Sequence, residues 1–198
     1  MKKRFFSFQK ALALSVLLLF TAVMTGCKPD ATETPEYVPE DLVKLQDGDL
    51  LLNDWFDTTN GRFIITKDYL DNKYLDYSGE WCDDDGNFIW TNSYAGNHLY
   101  VLKLSETSGT IFIKFTRAAT PTWSYTSTPD EAPDVGKWYA ISYKDLNSNA
   151  KTVNLSGAYK TDGVSSCNTL VDAVNEFTIE NGYFGIYTAH LLTPDDYK

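Results

Sequence analysis

The groups able to take part in a reaction are few and scattered. The 198-residue chain has two histidines, His98 and His190, and three cysteines, Cys27, Cys82 and Cys167. A Ser-His-Asp relay needs a nucleophile prepared by its local setting, as in a nucleophile elbow. Ser93 and Ser105 are available hydroxyls, yet no such motif surrounds either. No histidine or cysteine pair has zinc-ligand spacing, so neither a metal nor a cofactor is expected. The acidic run Asp83 to Asn87, "DDDGN", invites a calcium reading. Aligned on Gly86, a calcium loop would have Trp81 as its first ligand and Asn92 where a bidentate glutamate belongs. A hairpin turn at Asp85-Gly86 is therefore expected instead. No catalytic residue is assigned.

Cys27 offers a different chemistry, set by what precedes it. Lys2, Lys3, Arg4 and Lys10 make the start basic, and Ala11 to Gly26 carry no charge. That is the pattern of a secretory signal over residues 1–26. The uncharged run is short of the roughly 20 residues that cross a bilayer. Met24-Thr25-Gly26-Cys27 resembles a bacterial lipobox, with an apolar residue and two small ones ahead of the cysteine, and methionine in place of the commoner leucine. The resemblance implies diacylglycerol on the Cys27 sulfur, cleavage before Cys27, and often a further acyl chain such as palmitate on the new amine. Each buried methylene adds about 0.8 kcal/mol, and two or more chains hold where one does not. The expectation is a membrane-anchored lipoprotein of the bacterial cell envelope, with the inner or outer membrane left open.

Residues 27–40 then form an acidic linker with Pro29, Pro35 and Pro39. Without an apolar period to fold around, it reads as a spacer, with a reach on the order of 40 Å where polyproline-like. Residues 41–198 suit one domain. The whole chain has 17 Lys+Arg against 27 Asp+Glu, a net charge of −10. Removing the basic leader makes it more acidic still, which argues against a nucleic-acid partner.

The elements within that domain follow from period-two alternation. "TIFIKFTR", 110–117, puts Ile111, Ile113 and Phe115 on one face; "KWYAISYK", 137–144, does the same with Tyr139, Ile141 and Tyr143; "TVNLSGAY", 152–159, with Val153 and Leu155. Such runs predict half-buried strands. Further strands are expected at 51–56, 62–66, 74–81, 87–93, 98–104 and 183–187. The fold class is mainly β, a single antiparallel barrel of about eight or nine strands. One segment breaks the period: Leu170, Ala173, Val174 and Phe177 are spaced for a short C-terminal helix, with Thr169 and Asp172 as its capping box. Its apolar stripe would pack on the sheet or plug an open barrel end.

Two thiols and one loop complete the candidates. Outside the cytoplasm Cys82 and Cys167 can join as a disulfide, which over so long a loop contributes roughly 4–5 kcal/mol, or can stay as buried free thiols. The long segment 118–135 holds three prolines and sets Trp123 and Tyr125 among polar residues. Loops of that length are uncommon without a function, so Trp123 and Tyr125 are candidate ligand or partner contacts, against the alternative that Trp123 caps the barrel.

"GKWYAISYKDL" (136–146), "NLSGAYK" (154–160), "TLVDAVNEFTIENGYF" (169–184) and "NDWFDTTNGRFIIT" (53–66) together resemble small lipid-anchored proteins of spirochaetes. That family is largely uncharacterised, and the resemblance implies location and a small calycin-like barrel more than an activity. Gly136-Lys137-Trp138-Tyr139 also resembles the lipocalin G-x-W-Y motif, whose tryptophan closes the barrel floor. Too few residues follow Gly136 for the rest of such a barrel. Trp55 is better placed to plug one end, although Asn53 stands where the motif has glycine. The expected function is a lipid-anchored binding module for a small-molecule or glycan ligand. The alternative is a cell-surface, adhesin-like protein-interaction lipoprotein with a filled core, and a hydrolase stands third.

Overall fold

A computed structural model describes residues 35–57, 61–77, 80, 82–118 and 132–194. Glu36–Lys198 form one compact unit. It holds nine strands: β1 (Leu42–Val43), β2 (Asp54–Phe56), β3 (Gly61–Ile65), β4 (Tyr69–Leu75), β5 (Trp90–Lys103), β6 (Gly109–Arg117), β7 (Trp138–Asn147), β8 (Thr152–Gly157) and β9 (Thr188–Leu192). Among the described residues, these strands are joined by one helix, α1 (Leu170–Glu176), between β8 and β9.

Strands β2 to β9 pair each with the next, and β9 returns to β2, so eight antiparallel strands close a barrel of the calycin-like kind. Closure leaves no free edge in the ring. The extra strand β1 pairs with the far half of β5, Leu42 opposite Leu102 and Val43 opposite Val101. It takes the edge that β4 leaves unpaired, since β4 reaches only to Asn97 of β5.

Alternation along the strands sorts the apolar residues into two clusters. Trp55, Phe63, Leu70, Leu99, Ile111, Ile113, Ile141 and Val153 belong to the interior. Phe112, Trp138 and Ala140 point outward, where Leu170 and Ala173 of α1 and Phe177 just past its end cover them together with Tyr183. The helix thus packs on the outer wall of β6 and β7 and does not plug an end. Its start is as expected: the Thr169 hydroxyl oxygen accepts the Asp172 amide at 3.1 Å. At its end, Asn181 donates its side-chain amide to the carbonyls of Asn175 and Glu176.

Several strands differ from their expected bounds. The two strands expected at 87–93 and 98–104 are one, β5, with irregular register between Ala95 and Gly96 and between Asn97 and Tyr100. Gly96, within that irregular stretch, is there for space: a Cβ would lie 2.8 Å from the Ile113 Cβ and from the Lys114 carbonyl. The strand expected at 74–81 shares only 74–75 with β4, which runs Tyr69–Leu75. The strand expected at 183–187 is not formed: the last strand is Thr188–Leu192, and Tyr183 and Phe184 are buried in the outer cluster instead of in a ladder. The folded unit also takes in residues of the stretch read as a spacer. Glu36 accepts the Trp138 indole N–H at 2.6 Å and the Leu170 amide at 2.8 Å, and pairs with Lys114 at 3.4 Å.

Candidate functional site

In an up-and-down barrel alternate connections lie at the same end. One end carries the short turns 66–68, 104–108 and 148–151 and the segment leading into β2. That segment lends Leu45 and Leu51 to the interior cluster, and the fully buried Trp55 donates its indole N–H to the Leu51 carbonyl at 3.1 Å. This end is closed by side chains. The other end carries the long connections 76–89, 118–137 and 158–187.

A cleft of about 570 Å³ lies at that second end. Its floor comes from three strands: Tyr94 of β5, Phe115 of β6 and Tyr139 of β7. Phe115 and Tyr139 stack with centroids 4.9 Å apart, and Tyr94 meets both edge-on at 5.9 and 5.3 Å. The two phenols hydrogen-bond to each other. Burial raises both above the ordinary tyrosine value, and for Tyr94 the neighbouring phenol adds to the rise. They therefore stay protonated, so each oxygen can donate as well as accept. Gly157 makes room for the pair, since a Cβ there would lie 2.6 Å from the Tyr139 hydroxyl.

The rim is polar and tied down. Asp134 accepts Ser165 Oγ at 2.6 Å, Ser166 Oγ at 2.8 Å and Lys137 Nζ at 3.1 Å. Burial pushes its pKa up, but the hydrogen bonds from Ser165, Ser166 and Lys137 outweigh that and hold it below the ordinary aspartate value. The Tyr183 hydroxyl accepts the Val164 amide at 2.9 Å and donates to Glu176 at 2.6 Å, so the rim loop is fastened to the end of α1. Tyr159, Lys160 and Thr161 complete this side. The rim segment also presents apolar surface: Tyr159 is 73% exposed and Ile186 80%.

The residues singled out from the sequence fall elsewhere. Cys27, Trp123 and Tyr125 lie outside the described residues. Cys82 and Cys167 are free thiols, the first bridged by backbone to Phe88 and the second to Trp138. Burial raises the Cys167 thiol to about 11, with Glu176 and Asp172 adding to the rise. The run Asp83 to Asn87 is a tight turn as expected: Asp83 Oδ1 accepts the amides of Asp85 and Asn87 at 3.0 and 2.8 Å. Trp138, which the lipocalin-like motif would put on the barrel floor, is instead outside the barrel beneath α1, and Trp55 is the buried interior tryptophan. His98 is exposed in the irregular part of β5, while His190 is buried. Ser93 lines the cleft, and Ser105 pairs with Ser108 in a turn. Among the described residues, no three acidic, histidine or cysteine side chains are grouped to hold a metal ion. Sequence reasoning missed Tyr94, Tyr139 and Asp134 as a site. Tyr139 was legible as an inward residue, but nothing local in the sequence pairs it with Tyr94, 45 residues away. No protein-family model, curated protein or solved structure matches the chain.

Proposed function

We propose that the chain is a lipid-anchored, extracytoplasmic binding module whose cleft takes a small or glycan ligand. The observation that carries this reading is the cleft floor, a stacked aromatic surface with two protonated phenols set in it. Concave sites with apolar walls and a few convergent polar groups are how proteins hold small ligands. A ring with hydroxyl substituents suits that floor, because its faces can lie on Tyr139 and its hydroxyls can pair with the phenols and with the Ser93 hydroxyl. Residues 1–27 support the anchored location through the leader and the lipobox-like tetrapeptide.

Titration of the purified protein with 1-anilinonaphthalene-8-sulfonate, followed by displacement with a panel of mono- and disaccharides, tests the cleft. Saturable one-to-one uptake that weakens at least about tenfold in Tyr139→Ala is expected, roughly 1.4 kcal/mol of affinity. Uptake that is absent, or equal in both proteins, would dismiss the cleft. Detergent partitioning of full-length protein against Cys27→Ser tests the anchor, and equal partitioning would dismiss it.

A second reading, a protein-interaction surface, is favoured by the exposed apolar side chains Tyr159, Val164, Ile179 and Ile186. All four lie on the connection from β8 to β9. Scattered exposed apolar residues are normal, so the reading requires them to act as one patch.

A further inference from the structure

The barrel closes where β9 meets β2, and this is its shortest ladder. Only two residue pairs are in register, Trp55 with Leu192 and Phe56 with Leu191. The other ladders of the ring hold three to seven pairs. At the side of the closed end, the seam is pinned: Asp54 accepts the Thr193 hydroxyl at 2.7 Å and is paired with Arg62 of β3. Towards the other end stands His190.

His190 faces the interior. It lies opposite Val153 of β8, a member of the interior cluster, and its ring meets Phe63 edge-on at 5.3 Å. Only 2% of it is exposed. Nδ1 lies 2.8 Å from the Thr188 carbonyl, so Nδ1 carries the proton of the neutral ring and Nε2 keeps its lone pair. Nε2 is buried without a hydrogen-bond partner. Across the seam, Asp57 is buried too, with Oδ2 3.7 Å from Nε2. That distance is too long for a hydrogen bond.

We infer that the β2–β9 seam is an acid-sensitive gate: a proton taken up on His190 Nε2 opens the barrel at this ladder, from the cleft end, about the fixed point at Asp54. Charging the ring in the closed barrel puts an imidazolium in an apolar interior, with its nearest counter-charge beyond hydrogen-bond reach. An imidazolium that reaches water has no such penalty, so acid favours the open seam. Among the described residues, Asp57 is the one ionised group that faces His190 across the seam. Phe63 of β3 and Val153 of β8 present no charge. The interior phenols Tyr94, Tyr139 and Tyr143 stay protonated in acid, and Arg62 and Asp54 pair on the outer face. Burial lowers the pKa of His190, with Thr188 and Asp57 acting in the opposite direction. The window therefore lies below the ordinary histidine value of 6.5. A depressed histidine holds the closed form above that value and releases it as pH falls through the lower one. The inference stands whether or not the cleft takes a ligand.

Amide hydrogen exchange at pH 7.5 and pH 5.0, corrected for intrinsic rates, tests it. Protection of β2 and β9 should fall relative to β6 and β7, by up to about thirtyfold, the limit that a released histidine of ordinary value 6.5 sets at pH 5.0. Asp57→Asn removes the offsetting charge and should enlarge the fall, and His190→Gln should abolish it. If His190→Gln fails to fold, the wild-type His190 imidazole titration by NMR decides, read against the ordinary histidine value of 6.5. His190 should titrate below that value and together with the loss of seam protection. Titration at or above it, or seam protection that is constant or rises in acid, would overturn the gate, the last because it would mean that an Asp57 ion pair clamps it.

Discussion

The two ends of the barrel are built on opposite rules. At one end, short turns bring the strands together, and Leu45, Leu51 and Trp55 fill the space between them. The only interior polar group named there, the Trp55 N–H, is satisfied by a backbone carbonyl four residues back. At the other, three of the four connections are long, and the interior surface is aromatic with hydroxyl groups left in it. The first arrangement maximises apolar burial, which stabilises by roughly 25 cal/mol per Å². The second gives some of that up and keeps groups able to meet a ligand. On the proposed binding role, stability and recognition are separated along the barrel axis, as expected where a rigid scaffold carries variable loops.

The strongest way to break this comparison is at the closed end. Trp55→Ala should lose about 3–5 kcal/mol in urea unfolding, the usual result of emptying a buried aromatic site. It should leave cleft binding intact in the fraction that remains folded. At the open end, Gly157→Ala should cost about 1–3 kcal/mol through overpacking against the Tyr139 hydroxyl, and a crystal structure should show that phenol displaced. A smaller stability effect, but a larger one on ligand uptake, is expected for Tyr94→Phe. Removing one hydroxyl of the pair costs about 1 kcal/mol of unfolding free energy. Equal loss of dye uptake in Trp55→Ala and Tyr94→Phe would erase the division of labour between the ends.

The smallest effect concerns the rim. Asp134 is held below the ordinary aspartate value in the folded protein, so its contribution is present above that value and is lost as pH falls through the folded one. Chemical unfolding of wild type and Asp134→Asn across this acid range should show the two curves converging at the lowest pH. A constant gap between them would remove Asp134 as a titrating rim group.

Much of the wall was legible because local alternation and tertiary burial agree there. Ile111, Ile113 and Phe115 lie inside as the pattern predicts, and Thr169 caps the helix as expected. Where the two conflict, the sequence misleads. Phe112 shares its face with Lys114, yet it is buried beneath α1, because a wall covered on both sides needs apolar residues on both. Strand β4, "YLDNKYL", hides behind Asp71 and Lys73, which belong to the outer surface, and behind Asn72, whose register opposite Phe63 and Tyr94 turns it inward. The site was less legible than the wall. Tyr94, Phe115 and Tyr139 come from three strands, and His190 meets Asp57 only because the first and last barrel strands pair. Such meetings depend on closure, which no window of sequence contains. Glu36 shows the same limit in the stretch read as a spacer, where nothing local sets it apart from its acidic neighbours.

That glutamate has a mechanical consequence. Tension passed along the backbone from its amino-terminal side meets one carboxylate before it meets any strand of the ring. The indole, the amide and the ammonium held there share that single side chain, so they must let go together. Behind them Leu42 and Val43 add a two-residue ladder, with Leu42 buried in the outer cluster. Under load the segment from 36 to 43 would peel away first while the eight-membered ring stays shut, which makes Glu36 the fuse of the fold.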